Sequence, residues 1–157
     1  VAFKLKFISN QKAKEKILKH FFANMPLEEF EASCRAFSEK VIPALIRPGS
    51  LETIKELQEK GVSVVIVSAS PETWILQWAN SIQAGLIATR LEVVNGRLTG
   101  NILGKNCYGE EKVNRIREQY DLTGYKVIYG YGDSSGDRPM LSLATHSFYK
   151  PFRQRPV

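Results

Sequence analysis

One segment constrains the fold of this chain more than any other: at residues 127–137 an apolar run ends abruptly in a small, acidic, glycine-flanked loop. The run at 127–131 is typical of a buried parallel strand, and in open α/β sheets ligands bind beside the loops at the carboxyl ends of such strands. Two of the three aspartates of the chain, Asp133 and Asp137, lie in this loop. The segment therefore predicts a parallel α/β sheet with a site at one edge.

Asp133 and Asp137 allow two interpretations. Two carboxylates at such a loop suit a hard cation, above all Mg²⁺, which prefers a few carboxylate oxygens together with water and substrate phosphate. The small residues between them, Ser134, Ser135 and Gly136, would let the loop close around the ion. Alternatively, the aspartates cap the following helix, because Asp is favoured at helix starts. The short motif fits both interpretations.

The rest of the chain alternates helical and strand-like segments. Apolar residues at helical spacing predict two amphipathic helices, one at 11–24 and one after Pro26, before Pro43 and Pro48 interrupt the pattern. Helices are also predicted at 51–61, 72–83, 109–121 and 140–143. Strands are predicted at 62–67, 87–94, 97–103, 127–131 and near Phe148. This order indicates a largely parallel, doubly wound sheet, to which Asn95-Gly96 adds a β-hairpin.

Composition excludes several classes of protein. A chain of 157 residues, 43% apolar and 24% charged, is typical of a soluble globular domain. No run approaches the roughly 20 apolar residues of a transmembrane helix, and the start lacks the pattern of a signal peptide, so a cytoplasmic location is predicted. Cys34 and Cys107 lack the paired spacing of a zinc site or disulfide framework, which favours two buried thiols.

The net charge of +6 is spread along the chain rather than gathered into one patch. A solvated helix face explains such a distribution better than a nucleic-acid surface does, so no nucleic-acid partner is predicted. A basic balance also suits an anionic small molecule as substrate.

Ser68 follows the predicted strand at 62–67, so its hydroxyl and the amides of Ala69 and Ser70 are expected at the same edge as Asp133. Backbone donors before a helix bind anions, because their N–H groups lack partners and the helix dipole favours negative charge. These residues are therefore candidates for a phosphate cradle. An ordinary helix cap by Ser68 or Ser70 fits the same spacing.

Lys112 lies in the first turn of a predicted helix, where the dipole disfavours a cation. A phosphate or a carboxylate cluster in front of the side chain would explain this placement, although a solvated lysine fits as well. Lys105 is the competing candidate. Because a first-turn lysine is not expected in the core, Lys112→Ala is expected to cost catalysis more than folding.

The order of Ser68, Lys112 and the loop at 132–137 resembles the haloacid dehalogenase superfamily, and most of all its phosphoserine-phosphatase-like branch, subfamily IB. Residues 65–70 resemble the second motif of that branch, Lys112 within residues 109–112 the third, and the acidic loop the fourth. The resemblance implies a Rossmann-like three-layer α/β/α core at 47–157. It also implies a helical, C1-type cap region at 1–46.

The resemblance further implies a Mg²⁺-dependent phosphomonoester hydrolase that acts on a small-molecule phosphate ester through an aspartyl-phosphate. In that scheme Asp133 holds the metal, with Asp137 bound directly or through water. Ser68 and the amides of Ala69 and Ser70 hold the phosphoryl oxygens, and Lys112 stabilises their charge and orients the nucleophile. Neither the substrate nor the oligomeric state follows. The cap residues that would contact a leaving group carry no motif; the candidates are Phe21, Phe22, Arg35 and Arg47.

The family's first motif, an Asp-x-Asp pair that supplies the nucleophile, is absent from these 157 residues. The remaining aspartate, Asp121, ends a predicted helix and cannot replace it. The expectation is that the chain begins inside the cap region, that the nucleophile lies upstream, and that the chain alone is inactive. The alternative is a non-catalytic phosphate-binding pseudo-enzyme or interaction domain.

Overall fold

The computed structural model describes residues 9–153, which contain helices and strands in alternation. The helices are α1 Asn10–Phe22, α2 Leu27–Lys40, α3 Ile42–Leu45, α4 Ser50–Glu59, α5 Glu72–Ser81, α6 Glu110–Gln119 and α7 Arg138–Leu141. The strands are β1 Val65–Pro71, β2 Gly85–Thr89, β3 Leu91–Val94, β4 Arg97–Ile102, β5 Tyr129–Gly132 and β6 His146–Tyr149. Short 3₁₀ helices, Leu122–Gly124 and Ser135–Asp137, precede β5 and α7. The α/β class is confirmed.

The described strands form three two-stranded sheets. β1 pairs with β2 and β5 pairs with β6, in both cases in parallel, whereas β3 and β4 form an antiparallel hairpin. Asn95 and Gly96 connect β3 to β4 with φ angles of 50° and 72°. Positive φ at both central residues is what a type I′ turn requires, so the predicted hairpin is confirmed.

The predicted strand at 87–94 is divided in two at Arg90. Its first half, β2, pairs with β1, and its second half, β3, pairs with β4. The chain changes partners between them, so one continuous strand cannot form. Local sequence does not reveal that change, because both halves are apolar.

A cleft lies between the two parallel pairs, and we call it the interstrand cleft. Its volume is about 560 Å³, and it is lined by residues 62–67 at β1 and 127–131 at β5, with Ile54 and Leu57 of α4 and Ile116 of α6. In the described residues each of β1 and β5 has one parallel neighbour and does not pair with the other. The predicted doubly wound sheet is therefore interrupted at its centre.

The first two helices pack against the hairpin and α5. Phe30 and Cys34 of α2 and Leu98 of β4 form the centre of this core. Helix α1 crosses β4 at Gly100, whose φ is 81°, and a Cβ there would lie 2.6 Å from the Cα of Lys19. A side chain at this position would push α1 away, so the close approach depends on glycine.

Cys34 and Cys107 are both buried free thiols, as predicted. No helix within residues 9–153 combines the length and the apolar character needed to cross a bilayer. The division into a cap region at 1–46 and a core at 47–157 stays a prediction. Residues 1–8 of that region lie outside the described residues.

Candidate active site

The serine turn, residues 68–71, ends β1 and leads into α5. Ser68 still pairs with Ala88 of β2, and the register shifts between Ser68 and Pro71. The amide of Ser70 donates to the Oγ of Ser68 at 3.1 Å. The N-cap of α5 is Pro71, which makes no side-chain cap. Neither serine therefore caps the helix, and within residues 9–153 the hydroxyl hydrogen of Ser68 has no acceptor.

Lys112 joins two of the predicted site segments. Its side chain is only 6% exposed, although it lies in the first turn of α6. Nζ donates to the carbonyl oxygen of Val67 at 2.7 Å and to Oδ1 of Asp137 at 2.7 Å. The interpretation that a carboxylate explains this lysine is confirmed. The expectation that Lys112 lies outside the core is wrong, because the ion pair draws the side chain inward.

Lys105, the competing candidate, lies elsewhere. Its side chain is exposed and lines a separate surface depression together with Arg90 and Arg117. Its carbonyl oxygen accepts from Arg115 at 2.7 Å, a contact that holds the chain ahead of α6. Of the two lysines, Lys112 is the one that contacts the acidic loop.

Asp137 organises the acidic loop from within. Its Oδ2 accepts from the amides of Asp133 and Ser134 at 2.9 and 2.8 Å and from the Ser134 hydroxyl at 2.9 Å. Ser134 and Asp137 form a reciprocal capping box on the 3₁₀ helix, so the capping interpretation holds for Asp137. Burial alone would raise the pKa of Asp137, but hydrogen bonds from Lys112, Ser134 and Asp133 outweigh it and lower the pKa. Its role at a metal stays a prediction.

Asp133 is the accessible carboxylate of the loop, and two arginines converge on it. Arg153 donates from Nε to Oδ1 at 2.6 Å and from a terminal nitrogen to Oδ2 at 3.0 Å. Arg47, which is 86 residues away in sequence, donates to Oδ2 at 2.9 Å. The hydrogen bond from Arg153, and next that from Arg47, lower the pKa of Asp133. Sequence analysis named Arg47 as a candidate contact for a leaving group and did not identify Arg153. No local pattern pairs either arginine with Asp133.

The donor set for a metal is incomplete within residues 9–153. No group of three or more His, Cys, Asp or Glu side chains that could hold an ion occurs there. Mg²⁺ needs only one or two carboxylates, since water and substrate phosphate complete its shell. Asp133 therefore fits the chemistry of a Mg²⁺ ligand.

Tyr108 joins the start of α6 to the acidic loop. The amide of Gly109 donates to the carbonyl oxygen of Gly136 at 3.1 Å. A Cβ on Gly136 would lie 2.2 Å from Cε2 of Tyr108, so the ring lies directly on the glycine. Sequence analysis identified Gly136 only as a small residue and missed its contact with Tyr108.

Three further polar residues surround the serine turn, and sequence analysis identified none of them. The carbonyl oxygen of Ala69 accepts from Nζ of Lys14 and from the hydroxyl of Thr89, the latter at 2.7 Å. Asn106 lies beside both donors, with its Oδ1 at 2.9 Å from Lys14 Nζ and 3.0 Å from Thr89 Oγ1. Contacts of such long sequence separation leave no periodic signal.

Lys112 thus brings the three predicted motifs to one place. Val67, its backbone acceptor, immediately precedes Ser68, and its carboxylate acceptor closes the acidic loop. Both segments lie at the carboxyl ends of parallel strands, where open α/β sheets bind their ligands. Comparison with known proteins points to one family: the sequence profile of haloacid dehalogenase-like hydrolases matches residues 1–142. The chain belongs to that family.

Within the family, the chain is similar to the phosphoserine-phosphatase-like branch. It is 35% identical to the protein CicA of Caulobacter vibrioides over 148 residues, 93% of this chain and 66% of CicA. It is 33% identical to a phosphoserine phosphatase of Idiomarina loihiensis over 112 residues, 65% of this chain and 48% of that enzyme. The chain thus spans about two thirds or less of the length of these relatives.

A solved structure has the same fold. A protein of unknown function from Bordetella pertussis superposes with a TM-score of 0.81 at 24% identity, over 92% of this chain and 67% of that one. At this identity the likeness concerns the fold alone. It agrees with the Rossmann-like α/β architecture expected of a haloacid dehalogenase-like hydrolase.

Proposed function

We propose that the protein is a Mg²⁺-dependent phosphomonoester hydrolase that acts on a small-molecule phosphate ester through an aspartyl-phosphate. The nucleophilic aspartate would come from a segment upstream of these 157 residues. The observation that carries the proposal is the bridge from Lys112 to Val67 and Asp137, which holds the serine turn and the acidic loop together. The phosphoserine phosphatase among the relatives supports the same reaction class.

In the proposed reaction an aspartate carboxylate attacks phosphorus and the alcohol leaves with a proton. Water then hydrolyses the resulting acyl phosphate and releases inorganic phosphate and the free carboxylate. A Mg²⁺ ion would supply charge stabilisation for the phosphoryl oxygens when bound. Asp133 is the residue of this chain that would hold it, and Asp137 would keep the loop in place and contact the ion directly or through water.

The serine turn and Lys112 would bind the phosphoryl group. The Ser68 hydroxyl accepts from the Ser70 amide, so its own hydrogen is oriented away from that amide and can donate to a phosphoryl oxygen. The amide of Ser70 is engaged by Ser68, so the amide of Ala69 is the backbone donor that we assign to the phosphoryl group. The Lys112 ammonium adds a fixed positive charge. Preorganised donors of this kind act most strongly on the charge that develops in the transition state.

The interstrand cleft suggests how the nucleophile would reach the site. β1 and β5 line the cleft from two sides, and each has one parallel neighbour on its other edge. An apolar strand that ran parallel to both would pair with their free edges and complete the sheet. Its carboxyl end would then lie beside Ser68 and Asp133, the position that an Asp-x-Asp nucleophile requires.

A second candidate function is a phosphate-binding pseudo-enzyme or interaction domain without catalysis. The arrangement of Asp133 favours it, because both carboxylate oxygens are engaged by guanidinium groups rather than open to a metal. The two candidates differ in a single measurable property, which is turnover.

The deciding experiment compares the full-length gene product with the 157-residue chain in Mg²⁺-dependent hydrolysis of p-nitrophenyl phosphate. We expect activity in the full-length product and none in the chain. Asp133→Asn in the full-length product should abolish the Mg²⁺-dependent rate. Asp121→Asn is the matched control, since among the described residues that carboxylate accepts hydrogen bonds from Thr123 alone.

Wild-type turnover in Asp133→Asn would refute the metal assignment. Inactivity of the full-length product on a broad panel of phosphomonoesters, with phosphate still bound, would favour the pseudo-enzyme. A cytoplasmic location and the lack of a nucleic-acid partner stay predictions from composition.

A further inference from the structure

The serine turn is held by residues that the proposed reaction does not use. The Ala69 carbonyl oxygen is the centre of this arrangement, because it accepts both from the Thr89 hydroxyl and from the Lys14 ammonium. Thr89 is fully buried and accepts from the amide of Cys107 at 3.0 Å. Lys14 comes from α1, 55 residues earlier in the sequence.

Fixing that carbonyl also fixes the hydroxyl of Ser68. The carbonyl of Ala69 and the amide of Ser70 belong to one planar peptide group, so they cannot rotate independently. The Ser70 amide donates to the Oγ of Ser68 at 3.1 Å. A rotation of the peptide that broke the contact with Lys14 would therefore also turn the Ser70 N–H away from Ser68.

Lys14 is itself held by a polar network between α1 and the segment before α6. Asn106 accepts from Lys14 through Oδ1 at 2.9 Å and donates through Nδ2 to Asn10 at 2.7 Å. The backbone amide of Asn106 donates to Oε1 of the Gln11 side chain at 3.2 Å. Residues Asn10, Gln11 and Lys14 thus form one polar edge of α1, and all three contact Asn106.

A partly buried lysine at this position would destabilise the folded protein if it did not make these hydrogen bonds. The side chain is partly buried, and desolvation lowers the pKa of its ammonium group. An apolar residue of similar length would fill the same space without that penalty. Packing alone therefore does not account for a lysine here, whereas donation to the serine turn does.

We propose that Lys14 is a positioning residue for the phosphate site. By donating to the Ala69 carbonyl it orients the peptide that sets the Ser68 hydroxyl, so the docking of α1 on the core and the assembly of the phosphate cradle are coupled. This inference rests on the proposed function for its catalytic readout. Its structural part concerns the geometry of the serine turn and is tested separately.

The test uses Lys14→Met, which keeps the length of the side chain and removes its donors, and Lys14→Arg, which restores a cationic donor. Lys16→Met is the matched control, because it removes the same charge from the exposed side of α1. In the full-length gene product we would measure kcat and KM for p-nitrophenyl phosphate and the inhibition constant of inorganic phosphate. In the same full-length product we would measure the amide chemical shift of Ser70.

Lys14→Met is expected to weaken inhibition by phosphate and to lower kcat/KM by roughly ten- to hundredfold, as small misplacements of catalytic groups do. Lys14→Arg should recover most of the loss, and Lys16→Met should match the wild type. The Ser70 amide shift should change in Lys14→Met and in neither of the other variants. Wild-type phosphate inhibition and an unmoved Ser70 amide in Lys14→Met would overturn the proposal.

A thermal unfolding curve for each variant separates positioning from folding. If Lys14→Met does not fold, Lys14→Leu replaces it, since it too lacks a donor at the end of the side chain; equal phosphate inhibition in Lys14→Leu and the wild type would then overturn the proposal. If the wild-type full-length product neither hydrolyses esters nor binds phosphate, the proposed function fails. The Ser70 amide still decides whether Lys14 orients the turn.

Discussion

At the scale of single residues, Lys112 contributes both to the stability of the fold and to the candidate site. It satisfies a backbone carbonyl at the end of β1 and neutralises a buried carboxylate, while its ammonium stays beside the turn that would bind phosphate. A buried charge with a single partner is sensitive to the loss of that partner. The residue is therefore expected to matter for the fold as well as for the site.

Lys112→Ala is expected to lower the free energy of unfolding by about 3 kcal/mol, because Asp137 would keep a buried charge without its cation. The midpoint of urea denaturation, followed by circular dichroism, measures this change. Lys105→Ala removes an exposed lysine seven positions earlier and should change the free energy by less than about 0.5 kcal/mol. Equal midpoints for Lys112→Ala and the wild type would contradict the role in the fold.

The pKa of Asp137 predicts how stability responds to acid. Its pKa is lower in the folded state than in the unfolded chain, where the pKa of an aspartate is about 3.9. The carboxylate therefore contributes stability above the unfolded pKa, and this contribution is lost as the pH falls through the folded pKa. We expect urea midpoints to fall on acidification below about pH 5 and to fall less steeply in Asp137→Asn. Glu118→Gln, which removes an exposed carboxylate from α6, is the control and should keep the wild-type dependence.

Sequence reasoning succeeded where a residue conflicted with its local surroundings. A lysine in the first turn of a helix opposes the dipole, and this conflict allowed a phosphate, a carboxylate cluster or a solvated side chain. The structure shows a carboxylate partner. Sequence reasoning missed Lys14 and Arg153, and it named Arg47 only as a candidate contact for a leaving group. None of the three conflicts with its neighbours, and their partners lie 20 to 86 residues away in sequence. Such partners are fixed by the tertiary fold alone.

At the scale of elements, two glycines set how closely neighbouring segments approach. Gly136 lets the acidic loop lie under the Tyr108 ring, and Gly100 lets α1 lie on β4. In each case the side chain that is absent would occupy space already filled by the neighbouring element. Each contact can therefore be tested by adding one methyl group.

Gly136→Ala is expected to destabilise the protein by roughly 1–3 kcal/mol, because the new methyl group overlaps the Tyr108 ring. Gly124→Ala is the control, since a Cβ at Gly124 meets nothing within 4 Å among the described residues. Chemical denaturation of both variants, and of Gly136→Ala combined with Tyr108→Ala, measures the effect. The double variant should recover part of the loss, and strict additivity would show that the ring is not the obstacle.

Gly100→Ala and Gly104→Ala form a matched pair, because both glycines have positive φ, 81° and 76°. Both substitutions carry the backbone cost of roughly 1–2 kcal/mol for a left-handed alanine. Only Gly100→Ala also displaces α1, since a Cβ at Gly104 meets no atom within 4 Å in residues 9–153. We expect Gly100→Ala to have the lower melting temperature, and equal values would refute close packing of α1 on β4.

Most element types, though not all boundaries, follow from periodicity. The amphipathic helices and the Asn95-Gly96 hairpin are confirmed, because their signals are local. The change of partner at Arg90 was missed, since strand pairing depends on residues far away in sequence. The extension of β1 through Ser68 to Pro71 was also missed, because it results from pairing with β2.

At the scale of the whole molecule, the interstrand cleft leads to a prediction about completeness of the sheet. The cleft has a volume of about 560 Å³, and the side chains that line it are largely apolar. Apolar surface of this kind binds hydrophobic dyes when solvent can reach it. The 157-residue chain is expected to enhance the fluorescence of anilinonaphthalene sulfonate, and the full-length product to do so much less. Substituting Ile66, which lines the cleft, by Ser should reduce dye binding to the chain. Equal dye binding by the chain and the full-length product would contradict a strand in the cleft.

The arrangement of the two parallel pairs has a consequence for biosynthesis. A strand that filled the interstrand cleft from upstream would leave the ribosome first, yet its second neighbour, β5, is made more than a hundred residues after the start of this chain. At roughly 5–20 residues per second, the apolar strand that carries the nucleophile would wait several seconds with one edge unpaired. Exposed edges of this kind promote aggregation. Newly made chains would therefore depend on chaperones most strongly during the interval before β5 emerges.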